Sequence, residues 1–343
     1  MKLDRVTWID VARGIGIILV IYGHTLGSMG HRYLIYSFHM PLFFFLSGLV
    51  FRNRANEGYK KSLIKDIKRI MIPYFIFALA SLFLWFVVLP PERQTLATIY
   101  KQLIGILFGN AATHGYLAIN TVLWFLPCLF ITKQIFWFLS KLNKKLLVFS
   151  LVAFSIIGYA SSQYFSYLKF PYGLETALTG IVFFGMGYLW NFLPEKINNF
   201  TNKYIIFLIS IFILTTFYFA DQNFQIYGLQ IDMRLNRLNN YFYFYLAAIS
   251  GILATVFISK YINKNKILEY LGKNTMPLFI WHYFVFIYLN KLFFLMNPGK
   301  EIINFRNEYY TIIYTTLAII IILLATEAYK ILLTSSKLYL KKT

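Results

Sequence analysis

The chain has 343 residues and a formal net charge of +20, yet only 13% of its residues are charged and 59% are hydrophobic. Soluble domains contain about 25% charged residues, so this composition argues against a soluble protein and indicates an integral membrane protein. The positive charges lie in short loops between apolar segments and form no basic stripe, which argues against nucleic acid as a partner. The predicted partner is instead the lipid bilayer, with its anionic headgroups.

Apolar segments long enough to cross a bilayer recur along the whole chain. The sequence therefore predicts an all-α, polytopic membrane protein with about ten transmembrane helices in a single domain, residues 1–343. The predicted spans are 8–27, 33–51, 71–90, 120–140, 146–164, 174–192, 203–220, 239–259, 275–295 and 309–333.

The links between these spans differ in positive charge. The set that includes both chain ends holds 22 lysine and arginine residues, and the alternate set holds 9. Loops rich in lysine and arginine stay in the cytoplasm. Both termini are therefore predicted to be cytoplasmic, which agrees with an even number of spans.

The first two predicted spans contain ionisable residues, which are costly in lipid and indicate a functional site. Asp10, Arg13 and His24 lie in the first span, and His39 lies in the second. Eleven residues separate Arg13 from His24, so one helix face is predicted to carry both, about 16 Å apart. Asp10 lies one turn from Arg13 and is predicted to pair with it. His24 and His39 are predicted to lie at similar depth and to share a pocket.

These residue types suit acyl transfer from a thioester to a hydroxyl, which needs a base and a site for the donor. Histidine is the usual base, so His24 is predicted to take the hydroxyl proton, with His39 assisting. Arg13 is predicted to hold an anionic donor, because guanidinium groups suit phosphate. The basic segment before the third span is predicted to bind the donor phosphates, unless it serves topology alone. Its cations are Lys65, Lys68 and Arg69.

Other candidates lie further along the chain. Trp124, Glu175 and His39 are predicted to bind a sugar acceptor. Alternatively, Trp124 and Glu175 are residues of the membrane interface, or Glu175 pairs with an internal cation. His282 is predicted to be a satisfied packing or hydrogen-bonding residue, and His114 an exposed loop residue. No arrangement of metal ligands is present, and Cys128 is the only cysteine, so neither a metal site nor an intrachain disulfide is predicted.

Two segments carry structural predictions. TLATIYKQLIGILFG has apolar residues at helical spacing, which predicts a helix at the membrane surface. GIVFFGMGYLW supplies small residues that allow helices to pack closely.

The chain resembles the membrane acyltransferase-3 family in five segments, which occur in the family's order. They read IDVARGIGIILVIYGH, SFHMPLFFFLSGLVF, LWFLP, FFGMGYL and LGKNTMPLFIWH. The opening is most similar to the fucose 4-O-acetylase-like subgroup of sugar O-acetyltransferases. The resemblance implies acetyl-CoA as the acyl donor and a glycan, or a lipid-linked sugar, of the bacterial cell envelope as the acceptor. It also implies an inner-membrane location, a catalytic role for His24, and Arg13 as its partner.

Two other functions fit parts of the pattern. Intramembrane arginine and histidine also suit a proton-coupled transporter that exports a glycan precursor or a small acid. The sequence shows no inverted repeat and no matched pair of interrupted helices, as many transporters have. A purely structural membrane protein makes no use of the ionisable residues in the first two spans. The sequence therefore predicts an O-acetyltransferase first and a transporter second.

Overall fold

A computed structural model describes residues 6–25, 30–51, 56–88, 95–109, 118–194, 202–296 and 308–340. Within these ranges the regular elements are helices, joined by one isolated β-bridge between Asp232 and Arg237, which confirms the all-α prediction. The helices are α1 (Thr7–Gly23), α2 (Arg32–Phe51), α3 (Tyr59–Asp66), α4 (Ile72–Val88), α5 (Leu96–Phe108), α6 (Phe125–Leu139), α7 (Lys144–Tyr164), α8 (Leu174–Trp190), α9 (Asn202–Tyr227), α10 (Tyr241–Tyr261), α11 (Lys266–Lys273), α12 (Thr275–Met296) and α13 (Glu308–Leu340).

In the described ranges, eight helical segments are long and apolar enough to cross a membrane, so the chain is a multi-pass membrane protein. They are Arg32–Phe51, Tyr59–Val87, Asn120–Leu139, Lys144–Tyr164, Tyr204–Tyr227, Tyr241–Tyr261, Thr275–Phe293 and Glu308–Leu332. The predicted spans 8–27 and 174–192 correspond to α1 and α8, which have 17 residues each. Such a helix is about 26 Å long, slightly less than the hydrocarbon core of a typical bilayer. The count of about ten spans stays a prediction.

Some helices extend well beyond the apolar segments that predicted them. The predicted span 203–220 ends well before α9 does, because the helix continues through a polar stretch to Tyr227. Gly228 has a φ of +62° and its backbone N–H bonds to the Phe224 carbonyl, as is common where a helix ends. A helix can continue into water without an apolar face. Hydropathy therefore predicts where a span leaves the membrane, but it does not predict where the helix ends.

The segment TLATIYKQLIGILFG forms α5, which confirms the predicted helix. Thr95 accepts a hydrogen bond from the Thr98 backbone N–H at its start, and Gly109 ends it in the left-handed conformation. With 13 residues it is too short to span a bilayer. Its position at the membrane surface stays a prediction.

The chain forms two compact units, residues 1–35 with 258–343 and residues 36–257. In the first unit, α1 and α11 pack backbone against backbone. A Cβ atom added at Gly272 would lie 1.8 Å from the Asp10 carbonyl oxygen, and one at Gly14 would lie 2.1 Å from the Leu268 carbonyl oxygen. Only glycine permits this approach. The contact fixes α1 along its length against a short helix from the other end of the sequence.

Asn265 caps α11, because its Oδ1 atom accepts a hydrogen bond from the Leu268 backbone N–H at 3.0 Å. We expect Asn265→Ala to destabilise the protein by about 1 kcal/mol, since this N–H loses its partner. Asn265→Asp retains an acceptor oxygen and should keep the wild-type stability. Thermal unfolding of the purified protein in detergent measures both. Equal stability of the alanine and aspartate variants would contradict the capping role.

In the second unit, α8 lies at the centre and is buried along most of its length. A Cβ atom at Gly187 would lie 1.9 Å from the Phe45 carbonyl oxygen, and Gly48 on α2 approaches the Phe184 carbonyl in the same way. α8 therefore packs directly on the backbone of α2, which confirms the prediction of close packing from GIVFFGMGYLW.

Candidate active site

His24 directly follows the last residue of α1, and its ring orientation is fixed by a backbone contact. Its Nδ1 atom lies 2.7 Å from the Val20 carbonyl oxygen. A carbonyl oxygen only accepts hydrogen bonds, so Nδ1 carries the proton and donates it. In the neutral ring the lone pair then resides on Nε2. His24 is therefore held in the tautomer in which Nε2 acts as a base.

A second histidine, His282 on α12, contacts the His24 ring in the first unit. The ring centroids are 5.1 Å apart, and the planes are inclined by 60°. His282 is fully buried, and the rings of Phe279 and Phe286 lie beside it. Its Nδ1 atom donates to the Leu278 carbonyl at 3.0 Å, whereas its Nε2 atom has no hydrogen-bond partner among the described residues.

The prediction that His282 is a satisfied packing or hydrogen-bonding residue is confirmed for its burial and its Nδ1 hydrogen bond, and it is wrong for Nε2. The ring is buried as expected, but one of its nitrogens is unsatisfied and the ring lies against the candidate base. The residues directly before it, 276–281, are apolar and give no sign of a polar neighbour. The contact depends on how α1 and α12 pack, which no local pattern encodes.

Arg13 and Asp10 lie on α1, nearer its start. Arg13 Nη1 is 3.3 Å from Asp10 Oδ1, which confirms the predicted pair. Asp10 is buried, and its backbone carbonyl lies against Gly272. The Arg13 side chain is 29% exposed. α1 continues without a break from Arg13 to Gly23, so the predicted spacing of about 16 Å between Arg13 and His24 holds for the backbone.

A cluster of polar residues joins three segments of the first unit near the His24 end of α1. Glu308, the first residue of α13, accepts a hydrogen bond from the Tyr22 hydroxyl, and its other oxygen lies 2.9 Å from His31 Nδ1. Arg32 donates to the Thr25 carbonyl at 2.8 Å. The sequence gives no indication of this cluster, because its residues lie in separate segments. It fixes the end of α1 next to the starts of α2 and α13.

His39 belongs to the second unit, on α2. It is buried, and its ring centroid is 4.9 Å from that of Tyr36. His24 lies in the first unit, and the predicted pocket shared by the two histidines stays a prediction.

The basic segment of the second unit contains a π-helical turn, Ile67–Met71, between α3 and α4. Lys68 and Arg69 lie on this turn and are exposed, whereas Lys65 forms an ion pair with Glu57. π-Helical turns are rare and occur often at functional sites. The segment therefore presents two accessible cations, while the third predicted donor ligand has a carboxylate partner.

The π-helical turn is anchored to α6 through Asp66. This buried carboxylate pairs with Lys133 and accepts a hydrogen bond from Gln134 Nε2 at 3.3 Å. Lys133 is the only cation in the sequence between Lys101 and Lys141. The ion pair with Asp66 explains why the Lys133 side chain is largely shielded from solvent.

The two predicted acceptor residues are both buried in the second unit. Trp124 packs edge-on against Phe125 at the start of α6. Glu175 is 1% exposed and accepts a hydrogen bond from the Phe170 backbone N–H at 3.1 Å, so it stabilises the loop before α8. Burial lowers the pKa of nearby Lys169, and Glu175 partly offsets this effect. Contact of Trp124 or Glu175 with an acceptor stays a prediction.

The described residues contain no group of three or more histidine, cysteine, aspartate or glutamate side chains that could hold a metal ion. His114, predicted to be an exposed loop residue, lies outside the described residues.

Comparison with known proteins identifies the family. The model of the acyltransferase-3 family, described as an acyltransferase domain, matches residues 6–327 and thus nearly the whole chain. No curated protein and no solved structure matches the chain. The matched residues include His24 and His282, the two histidines in contact in the first unit. The chain therefore belongs to the acyltransferase-3 family.

Proposed function

We propose that this membrane acyltransferase is an O-acetyltransferase of the fucose 4-O-acetylase-like subgroup, located in the bacterial inner membrane. It transfers the acetyl group of cytoplasmic acetyl-CoA to a hydroxyl of a cell-envelope glycan or its lipid-linked precursor. Membership of the family supports acyl transfer. The observation that carries the proposal is the hydrogen bond from His24 Nδ1 to the Val20 carbonyl, which leaves Nε2 as the basic nitrogen.

In the proposed reaction, His24 Nε2 takes the proton of the acceptor hydroxyl as the oxygen attacks the thioester carbonyl. A bond forms between that oxygen and the acetyl carbon, and the bond from carbon to sulfur breaks. The thiolate of the departing CoA then receives the proton from His24. The Val20 carbonyl keeps the imidazole in the required tautomer throughout, as an orienting group does for a catalytic base.

Arg13 is proposed to bind the donor from the other end of α1. Its guanidinium is partly exposed and paired with Asp10, and a guanidinium suits the oxygens of a phosphate group. The distance of about 16 Å along α1 to His24 is of the order that an extended pantetheine arm spans. Lys68 and Arg69 are proposed as further donor-binding cations, since both are exposed.

The proposed orientation, with the donor in the cytoplasm, is supported by the excess of lysine and arginine in the links that include both chain ends, 22 against 9. Two lysines of these links pack on aromatic rings at the ends of helices. Lys141 lies 4.4 Å from the centroid of a Trp137 ring, and Lys144 lies 4.5 Å from that of Phe192. Such pairs are typical of the membrane interface. Both lysines belong to the set of links that the charge distribution assigns to the cytoplasm.

Sealed membrane vesicles test the donor, the linkage and the orientation together. Inverted vesicles expose the cytoplasmic face, so acetyl-CoA labelled in its acetyl group should acetylate the envelope glycan. The label should be released by mild alkali, because esters are cleaved under conditions that amides survive. Right-side-out vesicles should incorporate little label, since acetyl-CoA does not cross the bilayer.

Three results would contradict the proposal: no labelled glycan, alkali-stable label, or equal labelling in both vesicle orientations. Movement of a glycan precursor across the membrane without ester formation would instead favour the transporter.

A further inference from the structure

Lys133 places a cation within Asn120–Leu139, a helical segment that is long and apolar enough to cross a membrane. Its side chain is 13% exposed, and that of its partner Asp66 is 1% exposed. Charged residues in such segments are costly and indicate a functional site. A buried ion pair is also weak support for stability, because well-packed apolar side chains of similar volume are often equally stable or more stable. Packing alone therefore does not account for this pair.

The ion pair fixes one end of the π-helical turn Ile67–Met71. Asp66 directly precedes this turn, and both of its carboxylate oxygens have partners on α6. Its Oδ1 atom pairs with Lys133, and its Oδ2 atom accepts the hydrogen bond from Gln134 Nε2. At the other end of the turn, the last two residues are buried. The turn is therefore held in the protein at both ends.

Lys68 and Arg69 lie between these two buried ends. Both are exposed, and neither forms an ion pair with another of the described residues. Asp66 lies three residues before Arg69, a spacing at which a carboxylate and a guanidinium on one helix are neighbours. The pair with Lys133 offsets the charge of this carboxylate. The two exposed cations thus keep their charge for an anion from outside the protein.

We propose that Asp66 and Lys133 are positioning residues that orient Lys68 and Arg69 for the phosphate groups of the acyl donor; this inference rests on the proposed function. Contacts between a guanidinium and a phosphate depend on a defined orientation of the donor groups. A turn that is fixed before the donor arrives loses less conformational freedom on binding, which raises affinity. The buried pair acts on donor affinity and takes no part in proton transfer.

Removal of both buried charges together separates positioning from stability. The double variant Asp66→Ala/Lys133→Met leaves neither charge buried without the other, so it should fold. It should bind CoA about 10-fold more weakly than the wild type, the effect of losing one hydrogen bond to a charged group. Pantetheine lacks the nucleotide and all phosphates of CoA, so its Kd should change less than about twofold. Titration of the purified protein in detergent measures both ligands.

Single variants supply the controls. Lys133→Arg keeps the cation beside Asp66 and should retain the wild-type affinity for CoA. Lys141→Met removes a cation that lies over the Trp137 ring just beyond the end of α6, and it too should leave the affinity unchanged. Gln134→Leu changes no charge and removes one hydrogen bond to Asp66, so it should raise the Kd of CoA about threefold. It provides the test in a folded protein if the double variant unfolds.

A further combination shows whether the buried pair acts through the exposed cations. Lys68→Met/Arg69→Met removes the proposed phosphate ligands and should weaken CoA binding by itself. Adding Asp66→Ala/Lys133→Met to this variant should cause no further loss, because no phosphate ligand is left to orient. Residues that act independently would show additive losses instead.

The outcomes distinguish the inference from the function on which it rests. Wild-type affinity for CoA in the folded variants, equal losses for CoA and pantetheine, or additive losses in the combination would each overturn the positioning role and leave the acetyltransferase intact. A wild-type protein that binds CoA no more tightly than pantetheine would overturn phosphate recognition, and the positioning role with it. A wild-type protein that binds CoA but forms no glycan ester would overturn the proposed function alone.

Discussion

Replacement of His24 by glutamine is expected to lower the rate of acetyl transfer by about 10³-fold, near the middle of the range for loss of a general base. Glutamine keeps a polar side chain at the end of α1 but cannot take a proton at neutral pH. Binding of acetyl-CoA should be nearly unchanged, since the proposed donor ligands lie elsewhere. Labelled acetyl-CoA and inverted membrane vesicles measure the rate, and titration of the purified protein measures donor binding.

The matched control for this substitution is His31→Gln. His31 lies in the same unit, is 57% exposed on its side chain, and contacts Glu308 rather than His282. Glutamine retains a donor for Glu308, so this variant should transfer acetyl groups at close to the wild-type rate. Full activity in the His24 variant at normal protein levels would remove His24 as the base.

The second large effect is expected at Gly272, where α11 touches the backbone of α1. The Cβ atom of Gly272→Ala would lie 1.8 Å from the Asp10 carbonyl oxygen, so the two helices must separate. We expect a loss of about 3 kcal/mol, at the upper end of the usual range for overpacking. Because Asp10 also carries the ion pair with Arg13, donor affinity should fall together with stability.

Gly30→Ala is the control, since a Cβ atom at Gly30 meets no atom of the described residues within 4 Å. Its thermal unfolding in detergent should match that of the wild type, while that of Gly272→Ala should occur at a clearly lower temperature. If both variants unfold at the wild-type temperature, the close contact between α1 and α11 is wrong.

Composition and local spacing predicted a large part of this structure. The apolar segments indicated the helices, because a chain in lipid must satisfy its backbone hydrogen bonds within each helix. The three-residue spacing of Asp10 and Arg13 predicted their ion pair, since positions three apart are neighbours on a helix surface. These features depend on residues that are close together in the sequence, so the sequence predicts them.

Features that depend on distant segments were missed. His282 reaches His24 only because α12 packs on α1, and the two residues are 258 positions apart. Gly272 gave no signal either, because the role of a glycine in close packing depends on which helix faces it. No pattern in the sequence indicates the role of Glu308, which joins Tyr22 to His31.

The first unit takes its residues from both ends of the chain, 1–35 and 258–343. During translation, α1 emerges from the ribosome long before its packing partners α11 and α12 exist. α1, which His24 directly follows, is therefore synthesised more than two hundred residues before α11 and α12. A chain truncated before α12 should therefore lack the imidazole that contacts the His24 ring.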